Sequence, residues 1–158
     1  MAIHPGRVTA RFPDALALFI IGLRVNKLFP VQRWLKVARA MPPMIAELKL
    51  DPDSGFLHGE QALSGLRTIV MIQYWRSFDA LEAYARDPDQ THWPAWRAFN
   101  KTIGNDGSVG IFHETYLNPA GARETIYVNM PPFGLGVVDG TEPVTGAHAK
   151  ARQRLHNG

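Results

Sequence analysis

The sequence predicts an α+β protein of the ferredoxin-like class: a four-stranded antiparallel sheet built in the order β-α-β-β-α-β, with both helices on one face. Three observations predict it. Ala15–Arg24 (ALALFIIGLR) is a continuous apolar run of strand length, as expected for a central strand covered on both faces. Phe56–Leu63 and Arg67–Trp75 flank a short Ser64-Gly65 turn and read as a hairpin. Helical patterns separate the hairpin from the first strand and from a last strand, Val109–Leu117 (VGIFHETYL).

The elements follow in order. After Pro30, the residues Trp34, Val37, Ala38, Met41, Ile45 and Leu48 recur at three- and four-residue steps, with Arg33, Lys36, Arg39 and Glu47 mostly off that stripe. Pro42 and Pro43 divide this helix, because each removes a backbone donor. Asp51–Gly55 is a loop. Ser77 caps a helix over Phe78–Arg86, which stops at Asp87-Pro88. A second helical piece runs from Thr91 to Ile103 and ends at Gly104; it sets His92, Trp96, Phe99 and Ile103 on one face. Glu124–Val128 extends the sheet. The chain therefore divides into an N-terminal arm (1–14), the ferredoxin-like domain (15–130) and an irregular Pro- and Gly-rich segment (131–158). Helices on one face leave the other to be covered, and pairing two sheets across a two-fold axis is the cheapest solution, so a homodimer is expected.

Composition narrows the functional classes. A chain of 158 residues, 46% apolar and 20% charged, suits one globular domain and excludes a disordered tail or a coiled coil. The absence of cysteine excludes disulfides, thiolate metal sites and a cysteine nucleophile, and fits a cytoplasmic protein. The net charge is +3, and the basic residues are scattered except for Lys150, Arg152 and Arg154, which are expected to solvate the C-terminus. No basic stripe with interleaved aromatics is present, so no nucleic-acid partner is expected. Ala15–Leu23 is too short to span a bilayer and follows His4, Arg7, Arg11 and Asp14 without a cleavage site; neither a membrane segment nor a signal peptide is expected.

No Gly-rich phosphate loop, G-x-S-x-G elbow, H-E-x-x-H pair or calcium loop occurs. The candidates are instead histidines and aromatics on predicted strands and helices. His113 lies inside the last strand, where alternation puts it on one face with Thr115 and puts Glu114 and Tyr116 on the other. A strand-borne imidazole can take or return a proton near neutral pH, or can be a buried histidine bonded to a neighbouring strand. His92 is either an acid–base or haem-ligating group or a helix-start residue packed on Trp96. His58 stands at a pocket rim or faces solvent. Tyr74 and Arg76 share one face of their strand, and Trp75 shares the other with Gln73. They read as strand-end packing or as an aromatic pocket wall with a phenol donor. Arg24 is a surface charge or a ligand clamp. No pair of these residues has metal-ligand spacing.

Four stretches in combination resemble a known family: Ile20–Lys27 (IIGLRVNK), Gln73–Leu81 (QYWRSFDAL), His92–Asn100 (HWPAWRAFN) and Gly110–Tyr116 (GIFHETY). They are similar to small monooxygenases related to the fumagillin-pathway monooxygenase, over a span from about Ala15 to Gly136. The resemblance implies a dimeric α+β barrel, a superfamily that also holds antibiotic-biosynthesis monooxygenases, haem-degrading enzymes and aldoxime dehydratases. It implies oxidation of a hydrophobic or aromatic metabolite without a cofactor, by a base, an oxyanion donor and a dry aromatic cavity. His113, Tyr74 and Glu114 are then the candidate catalytic residues, with His113 as base. Trp75, Trp96, Tyr116 and Arg24 are the candidate substrate-binding residues. The alternatives are a haem enzyme with His92 as axial ligand and a non-catalytic binder of a hydrophobic metabolite.

Overall fold

The computed structural model describes residues 2–39, 41–89, 97 and 106–156. Four strands, β2 (Leu16–Val25), β3 (Phe56–Ser64), β4 (Thr68–Trp75) and β5 (Val109–Asn118), form an antiparallel sheet in the order β3-β4-β2-β5. The most apolar strand therefore lies inside the sheet, paired with β4 on one side and β5 on the other. This is the ferredoxin-like strand order.

Helices α1 (Val31–Ala38), α2 (Met41–Leu50) and α3 (Phe78–Arg86) accompany this sheet. Pro42 and Pro43 fall in the first turn of α2, where a missing N–H breaks no helical bond. α1 thus ends at Ala38 and α2 starts at Met41, just before the prolines. Ser77 caps α3 by accepting from the Ala80 amide at 3.1 Å. One core cluster gathers Ala17, Leu48, Trp75 and Leu81, drawn from β2, α2, β4 and α3. A second joins Leu23, Val25 and Val109, with Trp34 and Val37 of α1 packed on it. Both clusters use the odd-numbered positions of β2, so these define the helix side of the sheet. The helix expected at Thr91 to Ile103 lies, except for Arg97, outside the described residues.

The chain ends depart from expectation. The N-terminal arm holds a strand, β1 (His4–Ala10), which pairs antiparallel with β6 (Tyr127–Met130) and β7 (Thr141–Pro143). Residues 124–128 therefore do not extend the first sheet; they lead into a separate three-stranded one, β6-β1-β7. The supposedly irregular tail contains β7 and two short helices, α4 (Leu135–Val138) and α5 (Ala151–His156). Period-two patterning is too brief in three- and four-residue strands to register as a signal. Nor do the tail's basic residues all face solvent: Arg154 is buried, paired with Glu124, and donates to the His148 and Ala149 carbonyls.

Candidate functional site

Strand register divides the candidate residues between two faces. On the helix side, Ala17, Phe19, Ile21 and Leu23 of β2 stand opposite Trp75, Gln73, Met71 and Ile69 of β4. His113 of β5 stands opposite Ile21 on this same face. On the other, open face, His58, Tyr74, Leu18 and Tyr116 form one row across all four strands, and Glu60, Ile72, Ile20 and Glu114 form the next. The sheet itself separates His113 from Tyr74, Glu114, Tyr116 and Arg24. These residues accordingly do not converge on one substrate within a single chain, which corrects the catalytic set expected from the sequence.

The helix side holds a small cavity of about 50 Å³ between α1 and the sheet. Its walls are apolar (Ile21, Leu23, Val37, Ile69, Met71 and Ile111), with Gln61 as a polar lining side chain. His113 stands across the ladder from Ile21 and two residues beyond Ile111, both of which line the cavity, though His113 is not itself a lining residue. Its ring tilts against Phe19, with centroids 5.7 Å apart, and the residue is solvent-exposed. The reading of His113 as a buried, hydrogen-bonded core histidine does not fit that exposure.

Trp75 is a core residue and not a pocket wall. It is wholly buried, with its ring against Phe56 and Tyr84. Its indole N–H donates to Gln73 Oε1 at 2.9 Å, and the Gln73 amide in turn approaches Met71 Sδ at 3.3 Å. A buried polar chain thus runs from the core to a residue of the cavity wall. Gln61 was missed as a site residue; the available signal was an amide on the same face of its strand as Leu63.

On the open face, Tyr116 donates to Glu114 Oε2 at 2.6 Å, and this bond holds the phenol pKa above its usual value. Arg24 donates to Thr68 Oγ1 at 3.3 Å. Phe112 packs over Gly22, where a Cβ would clash with the ring, so β2 needs a glycine there. At the β3 edge, His58 Nε2 is 2.8 Å from Glu60 Oε1 and its ring stacks beside Tyr74. Burial raises the Tyr74 pKa, helped by Tyr127 and Glu60, so the phenol stays protonated near neutral pH and serves as a donor. This corner is covered by the chain's own tail: the Gly134 amide donates to Glu60 and the Gly136 amide to Tyr127 Oη. Gly134 has φ +53°, and a Cβ there would meet Tyr74 Oη at 2.6 Å.

His92 and Trp96 lie outside the described residues. Among the described residues no three His, Asp or Glu side chains gather as a metal site, and no helix is long and apolar enough to cross a membrane.

A ferredoxin-like sheet with helices on one face, and an apolar cavity beneath one of them, defines the class of the molecule. Within that class, the model of the Monooxygenase af470-like family matches residues 16–135, and the chain belongs to this family. Over 78 residues it is 32% identical to Monooxygenase af470 of Aspergillus fumigatus, a match covering 49% of this chain and 26% of that protein. The chain thus matches about a quarter of that relative's length. Among solved structures, it is similar to an aldoxime dehydratase, OxdRE, in complex with butyraldoxime. The TM-score is 0.65 at 22% identity, covering 81% of this chain and 38% of the other, and the likeness is one of fold. It also matches SnoaB, a cofactor-independent oxygenase from Streptomyces nogalater, at TM-score 0.49 and 16% identity over 71% of this chain and 97% of that one.

Proposed function

We propose that the chain is a monooxygenase that oxidises a small hydrophobic or aromatic metabolite on the helix side of the sheet, with His113 as the base. Family membership supports the reaction class. The observation that carries the site is the position of His113, opposite Ile21 and next but one to Ile111 on a single face, with both isoleucines lining the cavity. An exposed imidazole on the strand beside this apolar wall can take a proton from a substrate whose reacting carbon the wall shields from water.

The chemistry needs no group beyond substrate, oxygen and base. His113 removes a proton from an activated CH₂ of an electron-rich phenol. The resulting carbanion passes its electrons to O₂ and forms a C–O bond, and protonation gives a hydroperoxide. Loss of water from C–OOH leaves a carbonyl, so one oxygen atom enters the product and the other leaves as water. Gln61 is the lining side chain able to donate to a developing oxyanion. A void of about 50 Å³ has room for a few waters but is well below the roughly 150 Å³ of a cavity that takes up benzene, so substrate entry requires the α1 wall, including Val37, to move outward.

The open face has another assignment. Leu18, Ile20, Val70 and Ile72 are half-buried there, and Phe112 and Tyr116 are 39% and 50% exposed. A second copy of the sheet covers such a surface, completing the dimeric barrel. Oxidation of phenols bearing an activated CH₂ under ¹⁸O₂ tests the reaction. One labelled atom in the product is expected, at a rate that falls when Val37→Trp fills the cavity. Binding of the phenol without oxygen uptake would replace the enzyme reading with that of a binder.

A further inference from the structure

The fold gathers residues that look scattered along the chain. No Asp or Glu occurs from Ala15 to Ala46 or from Gln61 to Trp75, while these stretches carry Arg24, Lys27, Arg33, Lys36, Arg39 and Arg67. The two stretches meet at one end of the sheet. Arg24 pairs with Thr68 across the β2–β4 ladder, and the Val25 amide donates to the Arg67 carbonyl at 2.8 Å. Asp106 is brought to the same end, but its carboxylate accepts from the Ser108 amide and its carbonyl from Lys27 Nζ.

Large apolar side chains project from this same end. Leu66, at the tip of the β3–β4 hairpin, is fully exposed; Leu63 is 77% and Phe29 79% exposed. Leu28 and Val31, on the approach to α1, are exposed as well. Apolar tips ringed by exposed Arg24, Lys27 and Arg67 have the composition of a surface that inserts shallowly into an anionic interface. The cavity lies directly behind it: Leu23, Val37 and Ile69 line the void, and Ile69 is the ladder partner of Leu63.

We propose that this end of the molecule docks on an anionic lipid surface, with Phe29, Leu63 and Leu66 entering the acyl boundary and Arg24, Lys27 and Arg67 meeting the headgroups. Charge complementarity selects this occupant: two copies of so basic an end repel each other, whereas anionic headgroups neutralise it. An apolar ligand dissolved in the bilayer is then presented at the α1 wall. The docking itself is independent of turnover, so its test stands apart from that of the monooxygenase reading.

The experiment is co-sedimentation of the full chain with phosphatidylcholine vesicles, with and without phosphatidylglycerol. Binding is expected with phosphatidylglycerol alone, and should fall about tenfold or more between low and high salt as the headgroup charges are screened. Phe29→Asp and Leu66→Asp together should lower it about tenfold or more through lost insertion, whereas Leu50→Asp, at the end of α2 and 84% exposed, should not. Circular dichroism confirms that each variant is folded. Equal binding to both vesicle types, or binding unchanged in the Phe29→Asp/Leu66→Asp variant, would overturn the proposal. So would absence of vesicle binding together with a dimer that this variant dissociates, which would assign the surface to a second copy of the chain.

Discussion

Tyr84 shows how one side chain reports on the packing around it. It leans on Trp75, with ring centroids 5.5 Å apart, and burial together with nearby Glu47 pushes its phenol pKa up to about 12. A folded-state pKa above the unfolded value of 10.0 means that the unfolded chain ionises first. The associated stability is fully present below about pH 10 and is lost as pH rises towards 12. Tyr84→Phe should therefore weaken the alkaline loss of structure between those limits, read by circular dichroism against pH, and leave stability near pH 7 within about 1 kcal/mol. Residue-scale legibility was uneven. Alternation alone placed His113 opposite in sense to Glu114 and Tyr116, and placed Trp75 with Gln73, as the ladders show. Alternation does not say which face bears the helices, and so Trp75 was read as a pocket wall when it is the largest wholly buried side chain among the described residues.

Elements with a long period or a firm cap were legible; those held by tertiary contacts were not. The helix over Phe78–Arg86 follows from its Ser77 cap and the Asp87-Pro88 stop, and the hairpin follows from Ser64-Gly65. By contrast, β1 and β7 have their ladder partners more than a hundred residues away, a pairing that no local pattern announces. Their sheet is tied to α5 through Arg154, which is buried and donates from Nε to Glu124 Oε1 at 2.8 Å. Removing one member of such a pair leaves the other charge poorly solvated. Glu124→Gln should cost about 2–3 kcal/mol, towards the lower end for a pair whose acid is partly exposed. Hydrogen exchange is the suitable measurement: amides of β1 and β6 should lose protection while β2 and β4 keep theirs.

At the scale of the whole molecule, the sequence foresaw that helices on one side leave a sheet face needing cover. The structure divides that cover. The tail takes the β3 edge, through the Gly134 amide on Glu60, and leaves the β2–β5 side with Phe112 and Tyr116 in solvent. A second copy is the proposed cover for the remainder. Light scattering at micromolar concentration should give twice the chain mass, and Phe112→Asp, which charges the surface without entering either core cluster, should give a monomer.

The central claim is that His113 serves turnover and not folding. Its side chain is exposed on the strand next to the one that carries Ile21, so truncation leaves no close-packed void. Turnover and melting temperature measured on one sample of His113→Ala decide the matter. The account predicts a melting temperature close to that of the unsubstituted chain and turnover slowed by roughly 10²–10⁴-fold, as for loss of a positioned general base. A folded variant that oxidises its substrate at the unsubstituted rate would contradict it.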